Sequence, residues 1–190
     1  MFALPLFLCM LAVASADYVN ETDYAENSTH YPEQILANMQ CVNETIFVLQ
    51  RNYKNDTPFR CISGKKVKVV GDNVTEYMLQ ARWPNGTYFS YKVNMTADTT
   101  GNHEEPNAVI YVEDPNEGPM NHKIVTMDDN RTCFVIVRVN NETTNRECYL
   151  AVTESAADRN VSSRCQTVYN DYCGGTSVIL YNSTCKQASC

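Results

Sequence analysis

Histidine is scarce in this sequence, and the motifs that usually carry catalysis are missing. The three histidines, His30, His103 and His122, lie far from every cysteine of the mature chain, and we interpret each as a surface residue. There is no Gly-x-Ser-x-Gly, no His-Glu-x-x-His and no glycine-rich phosphate loop. The chain therefore offers few candidates for a catalytic Cys–His or Ser–His pair. We expect no catalytic residues and no enzyme. Because Cys-x-x-Cys is also absent, we expect no metal and no cofactor.

The chain also lacks an apolar run long enough to cross a membrane. The longest run, from Phe2 to about Val13, falls short of the roughly 20 residues that a spanning helix needs. It ends at Ala14-Ser15-Ala16, a small-x-small pattern that suits signal peptidase. Residues 1–16 are therefore predicted to be a signal peptide, whose removal leaves 174 of the 190 residues. We expect a secreted, extracellular protein without a membrane anchor.

Basic residues are outnumbered as well. Lys and Arg total 15 against 22 Asp and Glu, which gives a formal net charge of −7. Nucleic acids and anionic membranes both require clustered Lys and Arg. Neither is therefore expected as a partner, and the short basic cluster at Lys65, Lys66 and Lys68 is interpreted as the solvated face of a strand.

Cysteine, by contrast, is abundant. One of the nine cysteines, Cys9, leaves with the signal peptide. An even number in a secreted chain indicates a disulfide framework whose connectivity the sequence alone leaves open. The remaining eight are Cys41, Cys61, Cys133, Cys148, Cys165, Cys173, Cys185 and Cys190.

N-glycosylation motifs are dense too, and eleven Asn-x-Ser/Thr sequences occur. A glycan must face solvent, so each site that is used fixes the direction of its residue. We predict a glycoprotein with sites at Asn20, Asn27, Asn43, Asn55, Asn73, Asn85, Asn94, Asn130, Asn141, Asn160 and Asn182.

The order of elements predicts one domain, residues 31–190, after a flexible, glycosylated arm at residues 17–30. A short helix is predicted at 32–40, because Pro32 suits a first turn and Ile35, Leu36 and Met39 share one face. Eight strands separated by turn residues follow, at 45–51, 59–70, 74–83, 87–97, 108–112, 123–127, 132–139 and 147–153.

Helical spacing then predicts a helix over 155–172, with Ser155 as N-cap and Gly174-Gly175 as its end, before an extended piece at 177–181. Eight strands and one helix are the order of an eight-stranded antiparallel lipocalin β-barrel with a short N-terminal helix and a C-terminal α-helix.

The fourth strand indicates which side chains face the interior. Its aromatic and aliphatic residues alternate with polar ones. The sequon at Asn94 belongs to the polar row, which must face out. The inward row then holds Phe89, Tyr91 and Val93, and the third strand supplies Tyr77 and Leu79. A barrel of this size holds either packed side chains or one small ligand, and the sequence leaves both open.

Three stretches make the chain resemble the salivary lipocalins of ticks, in the histamine-binding protein group. They are the run from Phe47 to Asp56 before Cys61, the spacing of Cys133, Cys148 and Cys165, and the run from Thr153 to Ala156 before the last helix. The resemblance covers roughly residues 31 to 190. It implies disulfides Cys61–Cys185 and Cys133–Cys165, with Cys190 as an alternative to Cys185 in the first. For the remaining cysteines it leaves open Cys41–Cys173 with Cys148–Cys190, or Cys41–Cys148 with Cys173–Cys190.

The amine binders of that group share a motif that this chain matches in spacing but not in chemistry. Phe134 and Tyr149 stand where the motif has acids, and Ala151 replaces an aromatic residue. A buried ammonium needs a carboxylate partner. Substitute acids could come from Glu76, Glu113 or Asp128.

The resemblance implies stoichiometric sequestration of a small host mediator, either an apolar lipid or a biogenic amine such as histamine, with suppression of host inflammation or immunity. Tyr91 and Tyr149 would be polar handles for a lipid. The alternative is an immunomodulator that acts through its outer surface on a host immune protein. We expect a monomer in either case.

Overall fold

The computed structural model describes residues 23–139 and 145–188, and its centre is an antiparallel sheet that closes into a barrel. Closure arises because β1 pairs with both β8 and β2. The predicted lipocalin-type barrel is thereby confirmed, and the ninth, two-residue strand adds to β1. The strands are β1 Ile46–Arg51, β2 Arg60–Gly71, β3 Val74–Arg82, β4 Tyr88–Asp98, β5 Ala108–Tyr111, β6 Met120–Met127, β7 Cys133–Val139, β8 Glu147–Thr153 and β9 Val178–Ile179.

Strand β7 shows how the core divides into two layers. Its side chains alternate, so that Phe134 and Ile136 point into the barrel and Val135 and Val137 point outward. The outer row remains buried because the C-terminal helix covers it. This double burial explains why the strand is an almost continuous apolar run.

The two ends of the barrel differ. A short helix, α1 (Leu36–Gln40), closes one end, where Leu36 packs on Ile46, Ile124 and Phe134. The loops at residues 52–59, 83–87 and 112–119 surround the other end, which we call the mouth. The predicted helix at 32–40 is therefore split, because a 3-10 helix, Ser28–Glu33, contains Pro32 and precedes α1.

The N-terminal segment is attached to the barrel, so the arm predicted at 17–30 is too long. From residue 23 the chain forms a 3-10 helix whose Ala25 is 1% exposed. Glu26 pairs with Lys123 of β6, and Asp23 lies 2.6 Å from Arg146. Residues 17–22 and the predicted signal peptide lie outside the described residues.

The C-terminal helix begins later than predicted. Helix α2 (Ser163–Val168) follows Ser162, not Ser155, as its N-cap and continues into a π-helical turn, Tyr169–Cys173. The amide of Ser155 instead donates to Glu44, which holds this segment in turns beside β1. Gly174, at φ 58°, ends the helix as expected. Across the described part of the chain, no helix has the length and apolar character needed to cross a membrane.

Three disulfides tie the C-terminal segment to the barrel. Two are the pairs that the resemblance implies, Cys61–Cys185 and Cys133–Cys165. The third joins Cys148 to Cys173, so both alternatives for the remaining cysteines were wrong. Strand β8 lies directly beneath the π-helical turn, which brings these two residues together. Cys41 is exposed and Cys190 lies outside the described residues.

Candidate functional site: the barrel cavity

The barrel encloses a cavity of about 800 Å³ that is lined mainly by apolar and aromatic side chains. It extends from Leu36 and Met39 at the closed end to Phe59 and Trp83 at the mouth. Strand alternation supplies the walls, because inward residues of neighbouring strands meet at the same level. A space of this size and character is typical of a small-molecule site.

Most of the residues predicted to bind a ligand are part of the cavity wall. Tyr77, Leu79, Phe89, Tyr91 and Tyr149 all line the cavity. The phenol of Tyr91 donates to the backbone carbonyl of residue 113 in the mouth loop, so its donor is already engaged.

Val93 is the exception in the predicted set. It lies opposite Tyr77 in the register of β3 and β4 and is half-buried, but it is not among the lining residues. Its side chain is shorter than those of its neighbours in the inward row of β4, Tyr91 and Met95, which do line the cavity.

Aromatic side chains form one side of the mouth. The rings of Phe59 and Trp83 lie 4.5 Å apart between centroids, and Phe89 is 5.3 Å from Phe59 and 5.6 Å from Trp83. Trp83 is 44% exposed, since it sits where β3 ends. An apolar ligand entering here would pass the only tryptophan of the chain.

Below the mouth, several strands contribute charged and polar side chains to one level of the barrel. Arg51 of β1 is registered opposite Tyr149 of β8, and His122 of β6 is registered opposite Arg138 of β7. We call this set the polar layer; its members are Arg51, Tyr53, Tyr111, Glu113, His122, Arg138, Glu147 and Tyr149.

Glu113 lies at the centre of the polar layer. One carboxylate oxygen is 3.0 Å from Arg138 Nη1, and the other is 3.7 Å from Arg51 Nη1 and accepts a 3.0 Å hydrogen bond from Tyr53. Burial favours the neutral acid, but the charge of His122 in its protonated form and the guanidinium groups of Arg138 and Arg51, which stay charged at neutral pH, outweigh it. The pKa of Glu113 is therefore lowered, and the group is ionised at neutral pH.

His122 is 1% exposed, so its interpretation as a surface residue was wrong. Its ring stacks on Tyr111 at 4.2 Å and meets the edge of Tyr149 at 6.0 Å. Burial lowers the pKa of His122 to about 4, despite the attraction of Glu113. The imidazole is therefore neutral at physiological pH.

Sequence reasoning missed most of the polar layer. His122 shares strand parity with Ile124, and Arg138 shares it with Ile136. That alternation could have indicated that both side chains face the interior. Polar residues near strand ends are normally solvated, however, so an exposed position was the expected one.

The three acids considered as carboxylate partners for an amine lie in different environments. Glu76 faces outward and pairs with Lys92 at 2.9 Å. Asp128 accepts hydrogen bonds from the amides of Thr132 and Cys133 in the turn before β7. Only Glu113 of the three lines the cavity, and it is already engaged by guanidinium groups.

A family model described as tick histamine binding protein matches residues 24–187. The chain belongs to the tick histamine-binding protein family. This confirms the resemblance, and members of the family are non-enzymatic binding proteins. Among curated proteins, none matches the chain.

Several solved structures share the fold, and two of them are tick lipocalins. Japanin from Rhipicephalus appendiculatus, bound to cholesterol, superposes with a TM-score of 0.56 at 12% identity, over 76% of this chain and 96% of japanin. The AM182 serotonin complex superposes with a TM-score of 0.55 at 13% identity, over 80% of this chain and 90% of AM182. Apocrustacyanin C2 gives 0.51 at 8% identity, over 86% of each chain. At these identities the likeness supports the fold alone.

Proposed function

We propose that this member of the tick histamine-binding protein family is a secreted glycoprotein that sequesters a small, mainly apolar host mediator, and so suppresses host inflammation or immunity. The observation that carries the proposal is the cavity of about 800 Å³ inside the barrel. Its largely apolar walls would stabilise a bound lipid by roughly 25 cal/mol for each Å² of apolar surface removed from water. The mechanism is stoichiometric binding without turnover.

The positions of the sequons support a glycosylated, secreted chain. Their asparagines are exposed at every described site except Asn27, which is half-buried and caps the 3-10 helix before α1. Asn94 faces outward on β4, opposite in parity to Phe89 and Tyr91. Asn20 and Asn141 lie outside the described residues.

Native mass spectrometry tests the proposal. The secreted, enzymatically deglycosylated protein is measured alone and with an equimolar mixture of histamine, serotonin, leukotriene C, arachidonate and cholesterol. We expect a one-to-one adduct with an apolar member of the mixture. An adduct with an amine alone would contradict an apolar mediator and would mean that a carboxylate of the cavity lining pairs with the ammonium.

A cavity-filling variant separates binding inside the barrel from adhesion to its surface. Val48 lines the cavity, so Val48→Trp should abolish the adduct. The matched control is Val69→Trp, because Val69 is an exposed valine of β2. Persistence of the adduct in Val48→Trp would contradict binding in the cavity. A bare wild-type protein under all conditions would move the function to the outer surface and a host protein.

A further inference from the structure

Among the buried side chains of the polar layer that line the cavity, two carry nitrogen atoms that have no hydrogen-bond partner among the described residues. Arg51 is 5% exposed, yet its Nε is unpartnered and its Nη1 is 3.7 Å from Glu113, too far for a hydrogen bond. Both ring nitrogens of His122 are unpartnered as well. Buried polar groups are nearly always hydrogen-bonded. Because both side chains line the cavity, they point to a polar group on the ligand.

The other polar groups at this level are already engaged. The hydroxyls of Tyr111 and Tyr149 hydrogen-bond to each other, and Tyr53 donates to Glu113. At the rim, Lys54 pairs with Asp114 at 3.3 Å and with Glu117 at 2.7 Å. Arg51 and His122 are therefore the side chains left to recognise the head of a ligand.

The buried charges of the polar layer are balanced. The guanidiniums of Arg51 and Arg138 face the carboxylates of Glu113 and Glu147, with Arg138 3.0 Å from each carboxylate. Glu117, a third carboxylate 3.1 Å from Arg138, also pairs with Lys54 at the rim, at 2.7 Å. A ligand carboxylate would add a further negative charge beside Glu113. An ammonium would add a third positive charge beside Arg51. Either would be desolvated without a counter-ion, which is costly in a buried site.

The hydrogen-bonding capacity of the two side chains also favours a neutral head. A guanidinium only donates, whereas a neutral imidazole has one donor and one acceptor nitrogen. A hydroxyl can accept from Arg51 and donate to the unprotonated nitrogen of His122. A carboxylate offers no donor, and an ammonium offers no acceptor.

We propose that the polar layer selects a neutral apolar ligand with a hydroxyl head, such as a sterol or a long-chain alcohol, held by Arg51 Nε and His122. This inference rests on the proposed function, because it requires that a ligand occupies the cavity.

Ligands that share one tail and differ in head group test the inference. The probes are 1-dodecanol, dodecyl methyl ether, dodecanoate and dodecylammonium, each displacing the neutral fluorescent probe N-phenyl-1-naphthylamine from the secreted protein at pH 7.4. The alcohol should bind at least about tenfold more tightly than the other three, since its hydrogen bonds satisfy buried partners. Equal affinity for alcohol and ether, or tighter binding of a charged head, would overturn the inference but leave the proposed function standing. Failure of the protein to bind the probe or any dodecyl compound would overturn both.

Variants of His122 and Arg51 test whether these residues cause the preference for a hydroxyl head. His122→Phe can retain the stacking on Tyr111 but removes both ring nitrogens, so the preference for alcohol over ether should fall about tenfold. His30→Phe is the matched control, because His30 stacks on Tyr24 at 3.7 Å and does not line the cavity. Arg51→Lys keeps the positive charge but removes Nε, and it should also weaken the preference. A preference that survives in both cavity variants would refute the assignment.

Discussion

Burial determines the charge state of His122. The ring lies between Tyr111 and Tyr149, and Arg138 on the neighbouring strand opposes a second positive charge. The unfolded chain has no such environment, so its histidine titrates near pH 6.5. Between that pH and about 4, the unfolded state binds more protons than the folded state. Stability must therefore fall as the pH falls through this range.

His122→Phe removes this acid-sensitive contribution. Between pH 7 and pH 4, the wild type should lose about 3 kcal/mol more of its free energy of unfolding than the variant does. Urea unfolding followed by Trp83 fluorescence at several pH values measures the difference. Parallel pH profiles for wild type and His122→Phe would contradict the burial argument, and His30→Phe serves as the control.

Arg138 should be among the most sensitive charged residues. It is buried and contacts Glu113, Glu117 and Glu147 at 3.0 to 3.1 Å. Arg138→Met leaves carboxylates without their partner, so we expect a loss of about 3 kcal/mol in the free energy of unfolding at pH 7.

Lys92→Met provides the comparison for Arg138, because Lys92 makes an exposed ion pair with Glu76. Lys92→Met should lower the free energy of unfolding by less than about 1 kcal/mol. Chemical denaturation of both variants gives the comparison. Similar losses in the two would show that the polar layer is better hydrated than its burial indicates.

Among the secondary-structure elements, the strands were predictable because their inward and outward side chains alternate. β8 has the predicted bounds, Glu147–Thr153, because its inward and outward side chains obey a simple two-residue period. The start of α2 was not predictable in this way. It depends on the hydrogen bond from Ser155 to Glu44, a residue far away in the sequence. The burial of His122 likewise depends on Tyr111 of another strand.

Helix α1 contributes one large side chain to the closed end of the cavity. Leu36 is 3% exposed and packs on Ile46, Ile124 and Phe134. Leu36→Ala should cost about 2 to 4 kcal/mol of the free energy of unfolding, because it leaves a cavity that the barrel cannot refill. Ala37→Gly on the same helix is exposed and should cost about 1 kcal/mol. Thermal and urea unfolding of both would test this, and equal losses would mean that α1 does not anchor the closed end.

For the whole molecule, the sequence left the disulfide framework open because pairing depends on the fold. Peptide mapping of the unreduced protein should recover three cross-linked pairs: Cys61–Cys185, Cys133–Cys165 and Cys148–Cys173. A peptide that joins Cys41 to Cys148 or to Cys173 would contradict this connectivity. Replacing both Cys148 and Cys173 with Ala should cost about 2 to 4 kcal/mol in the free energy of unfolding.

All three bridges reach the barrel on β2, β7 or β8, and α2 covers the outer face of β6 and β7. Strands β3, β4 and β5 have no covalent tie, and β4 is exposed or half-buried along its whole length. One half of the barrel is therefore braced by disulfides and α2, and the other is held by sheet hydrogen bonds and its inward side chains alone. Ligands of different outline would be accommodated by movement of that second half, while the braced half, which contains β1 and β6, keeps Arg51 and His122 in place. The protein would thus combine a tolerant wall for the ligand body with a stiff wall for its head.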